Sequence, residues 1–204
     1  MIHNGSALVT NPNGNAAQGA VIGIAIHHTV GNNAVQSEAE ERATIRAIDQ
    51  QHVAQDFGGF GYHGIVFPSG RAYFCGSGQR AHVKGRNHEL RGWVFSGTFT
   101  NEQPTVAAFE GMKEALLAER RQFGPVPIMG HREWALPGEG TACPGIIVPR
   151  DWEAFLQEDS MTTDDTQIKA LVALAHFIRN GWNLADLSEG DKAAIKAAVE
   201  RIPA

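Results

Sequence analysis

Side chains that ligate metal ions occur in three short stretches that lie far apart in the 204-residue chain. Ile26-His27-His28-Thr29 supplies two imidazoles, Gly130-His131 supplies another, and the loop 141–145 contains Cys143. A fourth stretch, Gly61-Tyr62-His63, adds a phenol. Histidine and cysteine are ligands that Zn²⁺ prefers, and three protein ligands with a fourth position left to water are typical of a catalytic zinc site. The residues therefore predict such a site.

Each candidate also has a purely structural interpretation. His27 and His28 end an apolar run, and neighbours in a strand point to opposite faces, so only one of them can face a given site. Either can instead be a core histidine with satisfied hydrogen bonds. Cys143 can equally be an inert buried thiol, although its Pro- and Gly-flanked loop suits a fixed ligand better. Tyr62 can cover the edge of the core or donate a hydrogen bond to an oxyanion.

The remaining candidates are polar residues near these stretches. Thr141, two residues before Cys143, can offer its hydroxyl or its backbone N–H to the same site. Four further side chains are candidates for lining a cleft and binding substrate, and each could equally lie on the surface: His28, His63, His82 and Asn87. The helical HExxH motif of zinc proteases is absent, so the ligands must come from separate segments.

The elements that would position these residues alternate between strands and helices. Residues 21–28 form a nearly continuous apolar run that predicts a buried central strand, and Ser37 with Glu40 forms a capping box that opens a helix to about Asp56. Pro104-Thr105 begins a second helix, which Gly124-Pro125 ends. The remaining predictions are a lead-in loop over 1–20 and strands over 63–67, 71–75, 93–99 and 128–130. This alternation predicts an α/β domain with a mixed central sheet flanked by helices.

The composition changes after residue 157. Residues 158–165 are polar and acidic and predict a linker between a catalytic domain (1–157) and a small C-terminal segment (166–204) with two amphipathic helices. Two such helices are too small to bury a core of their own. We expect this hairpin to bind the substrate of the catalytic domain, to pair with another copy, or to dock on the main domain.

Composition also bounds the partners. A net charge of −5 without a Lys/Arg cluster argues against nucleic-acid binding, and no apolar run approaches the roughly 18 residues that a membrane span needs. The N-terminus lacks the pattern of a signal peptide, so we expect synthesis in a cytoplasm. Two cysteines allow one disulfide at most.

The combination of motifs resembles the zinc-dependent N-acetylmuramoyl-L-alanine amidases, a family that includes type-2 phage endolysins and peptidoglycan recognition proteins. The resemblance covers residues from about 20 to 155. One departure is Trp93-Val94-Phe95, where relatives usually have smaller residues, which predicts a reshaped cleft. The C-terminal hairpin has no counterpart in the resemblance. The motifs that carry it are Ile26-His27-His28-Thr29, Gln51-His52, Gly61-Tyr62-His63, Ala81-His82-Val83-Lys84-Gly85-Arg86-Asn87, Gly97-Thr98-Phe99, Pro104-Thr105, Gly130-His131-Arg132-Glu133 and Thr141-Ala142-Cys143-Pro144-Gly145.

The resemblance implies that His27, His131 and Cys143 bind Zn²⁺ and that Tyr62 and Thr141 are catalytic. It implies hydrolysis of the amide between N-acetylmuramic acid and L-alanine in bacterial peptidoglycan, by an endolysin that reaches the wall after release through a holin. Two alternatives stay open at this point. One is a non-catalytic peptidoglycan-binding module, and the other is a wall hydrolase with Cys143 as nucleophile and His131 as base.

Overall fold

A computed structural model describes residues 1–147 and 152–157. The predicted linker (158–165) and the predicted helices of 166–204 lie outside these residues. The described part contains one six-stranded sheet in the order β1-β4-β3-β5-β2-β6. Only the β3–β4 pair is antiparallel, so the predicted mixed sheet is confirmed. The strands are β1 (Ile2–Asn4), β2 (Gly23–His28), β3 (Gly64–Val66), β4 (Ala72–Phe74), β5 (Leu90–Phe95) and β6 (Ile128–Gly130).

Two long helices flank the sheet, and their ends follow the local sequence. Helix α1 (Glu38–Ala54) begins with the predicted capping box, in which Ser37 and Glu40 cap each other reciprocally. Helix α2 (Val106–Phe123) is capped by Thr105, whose side chain accepts from the Ala108 N–H, and it ends at Gly124 with φ 84°. Two short helices follow, α3 (His131–Trp134) and α4 (Trp152–Gln157). No helix in the described ranges is both long and apolar enough to span a bilayer.

The two faces of the sheet bury different cores. Ile24 and Ile26 of β2 pack with Met112 of α2 on one face. On the other face, Ile45 of α1 packs with Val94 of β5. Because successive side chains of a strand alternate between faces, His27 projects from the face opposite to Ile26, on the side of α1.

The register of the central strands brings two distant motifs together. Strand β2 lies between β5 and β6 and is parallel to both. Its last pair with β6 joins Ile26 to Gly130, so the next residues, His27 and His131, lie side by side at this end of the sheet. Ligand sites of open α/β sheets form at such carboxyl ends.

Two expectations about the strands were wrong. Residues 1–20 are not only a loop, because β1 pairs in parallel with β4 and a 3-10 turn follows at Ser6–Leu8. The strand expected over 93–99 instead begins at Leu90 and ends at Phe95. Gly97 has a φ of 137°, which turns the chain away from the sheet.

The bulky Trp93 does not reshape the cleft, contrary to expectation. It is 1% exposed and packs in the core on the α2 face. Its Nε1 donates a hydrogen bond to Oε1 of Glu119 at 2.9 Å, and the same carboxylate pairs with Arg91. The larger side chain is therefore accommodated beneath the sheet, away from His27.

Candidate metal centre

A cleft of ≈ 550 Å³ opens at the carboxyl ends of β2 and β6. It draws its walls from β2, α1, the segments around residues 62 and 81–87, and the loop before Cys143. The side chains that carry its chemistry are His27, His28, His52, Tyr62, His82, Asn87, His131, Glu139 and Cys143. The cleft thus unites most of the residues selected from the sequence.

Three potential metal ligands converge on one side of this cleft. One donor atom from each of His27, His131 and Cys143 lies within 4.8 Å of the other two. Nδ1 of His27 is 3.7 Å from Sγ of Cys143. Zinc–nitrogen and zinc–sulfur bonds of about 2.0 and 2.3 Å in tetrahedral geometry separate two such ligands by roughly 3.6 Å. The donor set and its spacing therefore fit a zinc ion.

The environment of His27 favours the neutral imidazole that a metal requires. The residue is 1% exposed. Burial, helped by the neighbouring His82 and His131, lowers the pKa of His27 well below its usual value. A neutral ring offers one nitrogen lone pair to a ligand.

His131 begins α3, and its ring faces a carboxylate that sequence reasoning missed. Nε2 of His131 lies 3.4 Å from Oε1 of Glu139, and both side chains are largely buried. Burial lowers the pKa of His131, while Glu139 opposes that shift. Nothing in the local sequence marks Glu139, which precedes Cys143 by four residues in a Gly-rich loop.

The loop that carries Cys143 is fixed by backbone hydrogen bonds. The Arg132 N–H donates to the Cys143 carbonyl at 3.0 Å, and the Cys143 N–H donates to Oγ1 of Thr141 at 3.2 Å. A Cβ at Gly130 would lie 2.6 Å from Cδ of Pro144, so the loop can approach β6 only because residue 130 is glycine. Thr141 therefore supports the Cys143 backbone, next to the cleft.

The Cys143 thiol is not activated as a nucleophile by its protein surroundings. Burial raises its pKa to about 11, whereas reactive cysteines have lowered values. Both cysteines of the chain are free thiols.

Tyr62 lies beside the three ligands. Its ring centroid is 5.1 Å from that of His27, and its ring packs against the α1-side core. Burial raises the pKa of Tyr62, so the phenol keeps its proton and can donate a hydrogen bond at neutral pH. His52 of α1, which belongs to the Gln51-His52 motif of the resemblance, accepts a hydrogen bond from the Gly61 N–H at 2.9 Å and so fixes the residue before Tyr62.

The four predicted substrate contacts have different surroundings. His28 lines the cleft, and its Nδ1 accepts from the Phe99 N–H at 3.1 Å. Asn87 also lines the cleft, but its Oδ1 accepts from the backbone N–H groups of His82 and Val83 at 3.0 and 2.9 Å. His82 is 7% exposed and is hydrogen-bonded to His27.

The prediction that His63 contacts substrate needs correction. Its side chain is 0% exposed and lies outside the cleft. Nδ1 accepts from the Gly92 N–H at 2.8 Å, and Nε2 lies 3.0 Å from the Gly78 carbonyl oxygen. Both ring nitrogens are thus engaged with backbone, which makes His63 part of the scaffold.

The fold is that of a peptidoglycan amidase or recognition protein. Residues 17–146 match the family model of N-acetylmuramoyl-L-alanine amidase, and the chain belongs to this family. A search of curated protein sequences gave no significant match.

Solved structures share the fold at low sequence identity. The Drosophila peptidoglycan recognition protein SD aligns with a TM-score of 0.62 and 24% identity over 71% of this chain and 88% of its own. The endolysin N-acetylmuramoyl-L-alanine amidase LysCS from Clostridium intestinale aligns with a TM-score of 0.57 and 20% identity, over 79% of this chain and 97% of its own. Peptidoglycan recognition protein LE aligns with a TM-score of 0.59 and 24% identity, over 71% of this chain and 87% of its own. It was solved in complex with tracheal cytotoxin, a monomeric diaminopimelic acid-type peptidoglycan.

Proposed function

We propose that this protein is a zinc-dependent N-acetylmuramoyl-L-alanine amidase that degrades bacterial cell walls as an endolysin. The observation that carries the proposal is the convergence of the His27, His131 and Cys143 donor atoms beside Tyr62 in one cleft. Family membership supports the amide-cleaving chemistry, and the folds shared with the endolysin LysCS and with protein LE support peptidoglycan as substrate.

In the proposed site, His27, His131 and Cys143 would hold zinc, whose chemistry there would be polarisation of the scissile carbonyl and activation of water. The protonated phenol of Tyr62 donates a hydrogen bond to the oxyanion that develops on the substrate carbonyl. Thr141 accepts from the Cys143 N–H, and its hydroxyl proton can be directed at the same oxygen. His28 and Asn87 line the cleft where the stem peptide would bind.

Two rival functions are less well supported. A cysteine-nucleophile hydrolase would need a thiolate with no metal ion to stabilise it, but burial raises the pKa of Cys143 to about 11. Moreover, Sγ of Cys143 lies 3.7 Å from Nδ1 of His27, whereas the expected base is His131. Peptidoglycan binding alone does not require three convergent metal ligands next to the protonated phenol of Tyr62.

The two cysteines of the chain provide a matched test. Cys143→Ser should lose zinc and hydrolysis, because the hydroxyl is a far poorer zinc ligand than a thiolate. Cys75→Ser should keep both and lose stability only, because Cys75 is buried in the α1-side core. Zinc content by elemental analysis and release of wall fragments check both variants. Wall hydrolysis at the wild-type rate by a metal-free Cys143→Ser protein would contradict the proposal.

The division of the chain into a catalytic domain (1–157), a linker (158–165) and a C-terminal segment (166–204) is likewise a proposal. We propose that residues 166–204 either bind the wall or pair with another copy, which would raise avidity for an insoluble substrate. A protein truncated after Asp159 that keeps its oligomeric mass and its binding to intact walls would argue against both roles.

A further inference from the structure

His82 connects a proposed zinc ligand to the backbone of the sheet. Its Nδ1 lies 3.1 Å from Nε2 of His27, and its Nε2 lies 3.2 Å from the carbonyl oxygen of Leu90 in β5. Both contacts are buried, and they run in series from β5 to β2. The far nitrogen of His27, Nδ1, is the one 3.7 Å from Cys143 Sγ.

The direction of hydrogen bonding in this chain follows from its fixed end. A carbonyl oxygen can only accept, so Nε2 of His82 must carry the proton. In the neutral ring, Nδ1 of His82 is then an acceptor, and Nε2 of His27 must be the donor. This leaves Nδ1 of His27, the nitrogen 3.7 Å from Sγ of Cys143, unprotonated and able to offer its lone pair to a metal ion.

The surroundings of His82 hold its ring in this position. A Cβ at residue 92 would lie 2.7 Å from Cγ of His82, so the ring occupies space that exists only because Gly92 has no side chain. The backbone N–H of His82 donates to Oδ1 of Asn87 at 3.0 Å. The ring is thus supported from the sheet and from its own turn.

We propose that His82 is a positioning residue, which fixes the tautomer and orientation of His27 so that Nδ1 of His27 is presented to zinc. The proposal rests on the zinc site proposed above. It replaces the expected role of His82 as a substrate contact. It also assigns Asn87 an indirect role, because the Asn87 side chain holds the turn that carries the His82 ring.

Two nearly isosteric variants of the full-length protein test the acceptor directly. His82→Leu removes the acceptor for His27, whereas His82→Asn can place Oδ1 near the former Nδ1 position. Loss of a partner behind a zinc ligand typically weakens metal affinity about 10–100-fold. We expect a loss of that order in His82→Leu and a smaller loss in His82→Asn, measured by competition with a zinc-binding chelator.

His63→Leu is the matched control. His63 is equally buried and its ring lies 5.6 Å from that of His82, but its side chain is hydrogen-bonded to Gly92, Gly78 and Gln18. We expect His63→Leu to lower the melting temperature and to leave the zinc dissociation constant unchanged. Equal affinity losses in His63→Leu and His82→Leu, or wild-type affinity in His82→Leu, would overturn the proposal.

A measurement on the unaltered protein covers the case in which a variant does not fold. Nitrogen-15 NMR of the imidazole rings should find the Nε2–H tautomer in both His27 and His82. An Nδ1–H tautomer in His82 would overturn the proposed chain. If the unaltered protein binds no zinc, the proposed function itself fails, whereas zinc binding that is insensitive to His82 contradicts only the role of His82.

Discussion

The two tyrosines of the chain differ in what their hydroxyl groups can do. Tyr62 lies in the cleft beside His27, whereas the hydroxyl of Tyr73 donates to Oε2 of Glu41 at 3.0 Å in the interior. We assign the Tyr62 hydroxyl to stabilisation of the transition state and the Tyr73 hydroxyl to stabilisation of the fold. This division can be tested because removing either hydroxyl changes a single oxygen atom.

Tyr62→Phe should keep zinc and melting temperature and lose turnover about 10²–10³-fold, the usual cost of removing one oxyanion donor. Tyr73→Phe should show the opposite pattern, because a hydrogen bond to a charged group contributes about 1.5–3 kcal/mol to the free energy of unfolding. Turnover measured on cell walls, together with thermal unfolding, separates the two effects. Unchanged turnover in Tyr62→Phe would reduce that residue to a packing role.

At the scale of elements, the site depends on how closely the Cys143 loop approaches the end of β6. In Gly130→Ala, the new methyl group would meet Pro144 Cδ at 2.6 Å and would also collide with the Glu133 carboxylate. We expect the loop to be displaced from His131 and zinc affinity to fall. Gly140→Ala is the control within the same loop, because a Cβ there meets nothing within 4 Å. Equal zinc affinities in the two variants, measured by chelator competition, would contradict this account of the loop.

The elements with strong local signals could be predicted from the sequence. The apolar run of β2, the Ser37 capping box and the Thr105 start of α2 all lie close to where the patterns indicate. Strand β1 has only three residues, too few for a recognisable alternation. The start of β5 was missed because Arg91 is charged, and its burial depends on a partner, Glu119, 28 residues away.

The same limit applies to the site. His27, His131 and Cys143 could be selected because each stands in a characteristic local motif, and the register of β2 with β6 then brings the two histidines together. The contacts that support them could not be predicted in this way. The approach of Glu139 to His131, and the hydrogen bonds of His52 and His82, become visible only when segments distant in sequence are adjacent in space.

At the scale of the whole molecule, buried histidines make folding sensitive to acid. Burial, with Arg91, His82 and Arg80 nearby, lowers the pKa of His63 well below its usual value. As the pH falls below about 6.5, His63 therefore becomes protonated in the unfolded chain but stays neutral in the folded protein. This difference lowers the free energy of unfolding by roughly 1.4 kcal/mol per pH unit for each such group.

Denaturant unfolding of the zinc-free protein should therefore show a free energy of unfolding that decreases as the pH is lowered from 7.5 to 5.5. His63→Gln should decrease less steeply than the wild-type protein, whatever its stability at pH 7.5, because one of the titrating groups has been removed. Parallel pH dependences for the two proteins would show that His63 does not contribute.

The most direct test of the proposed amidase activity is the identity of the bond that the protein cleaves. Purified bacterial cell walls would be digested with the zinc-loaded protein, and the products analysed for new N-terminal alanine and by mass spectrometry. We expect new alanine amino groups on released stem peptides, with intact glycan chains. We also expect a chelator to stop this reaction and added zinc to restore it. Cleavage of glycosidic bonds, or alanine release that persists undiminished in the chelator-treated protein, would contradict the proposed activity.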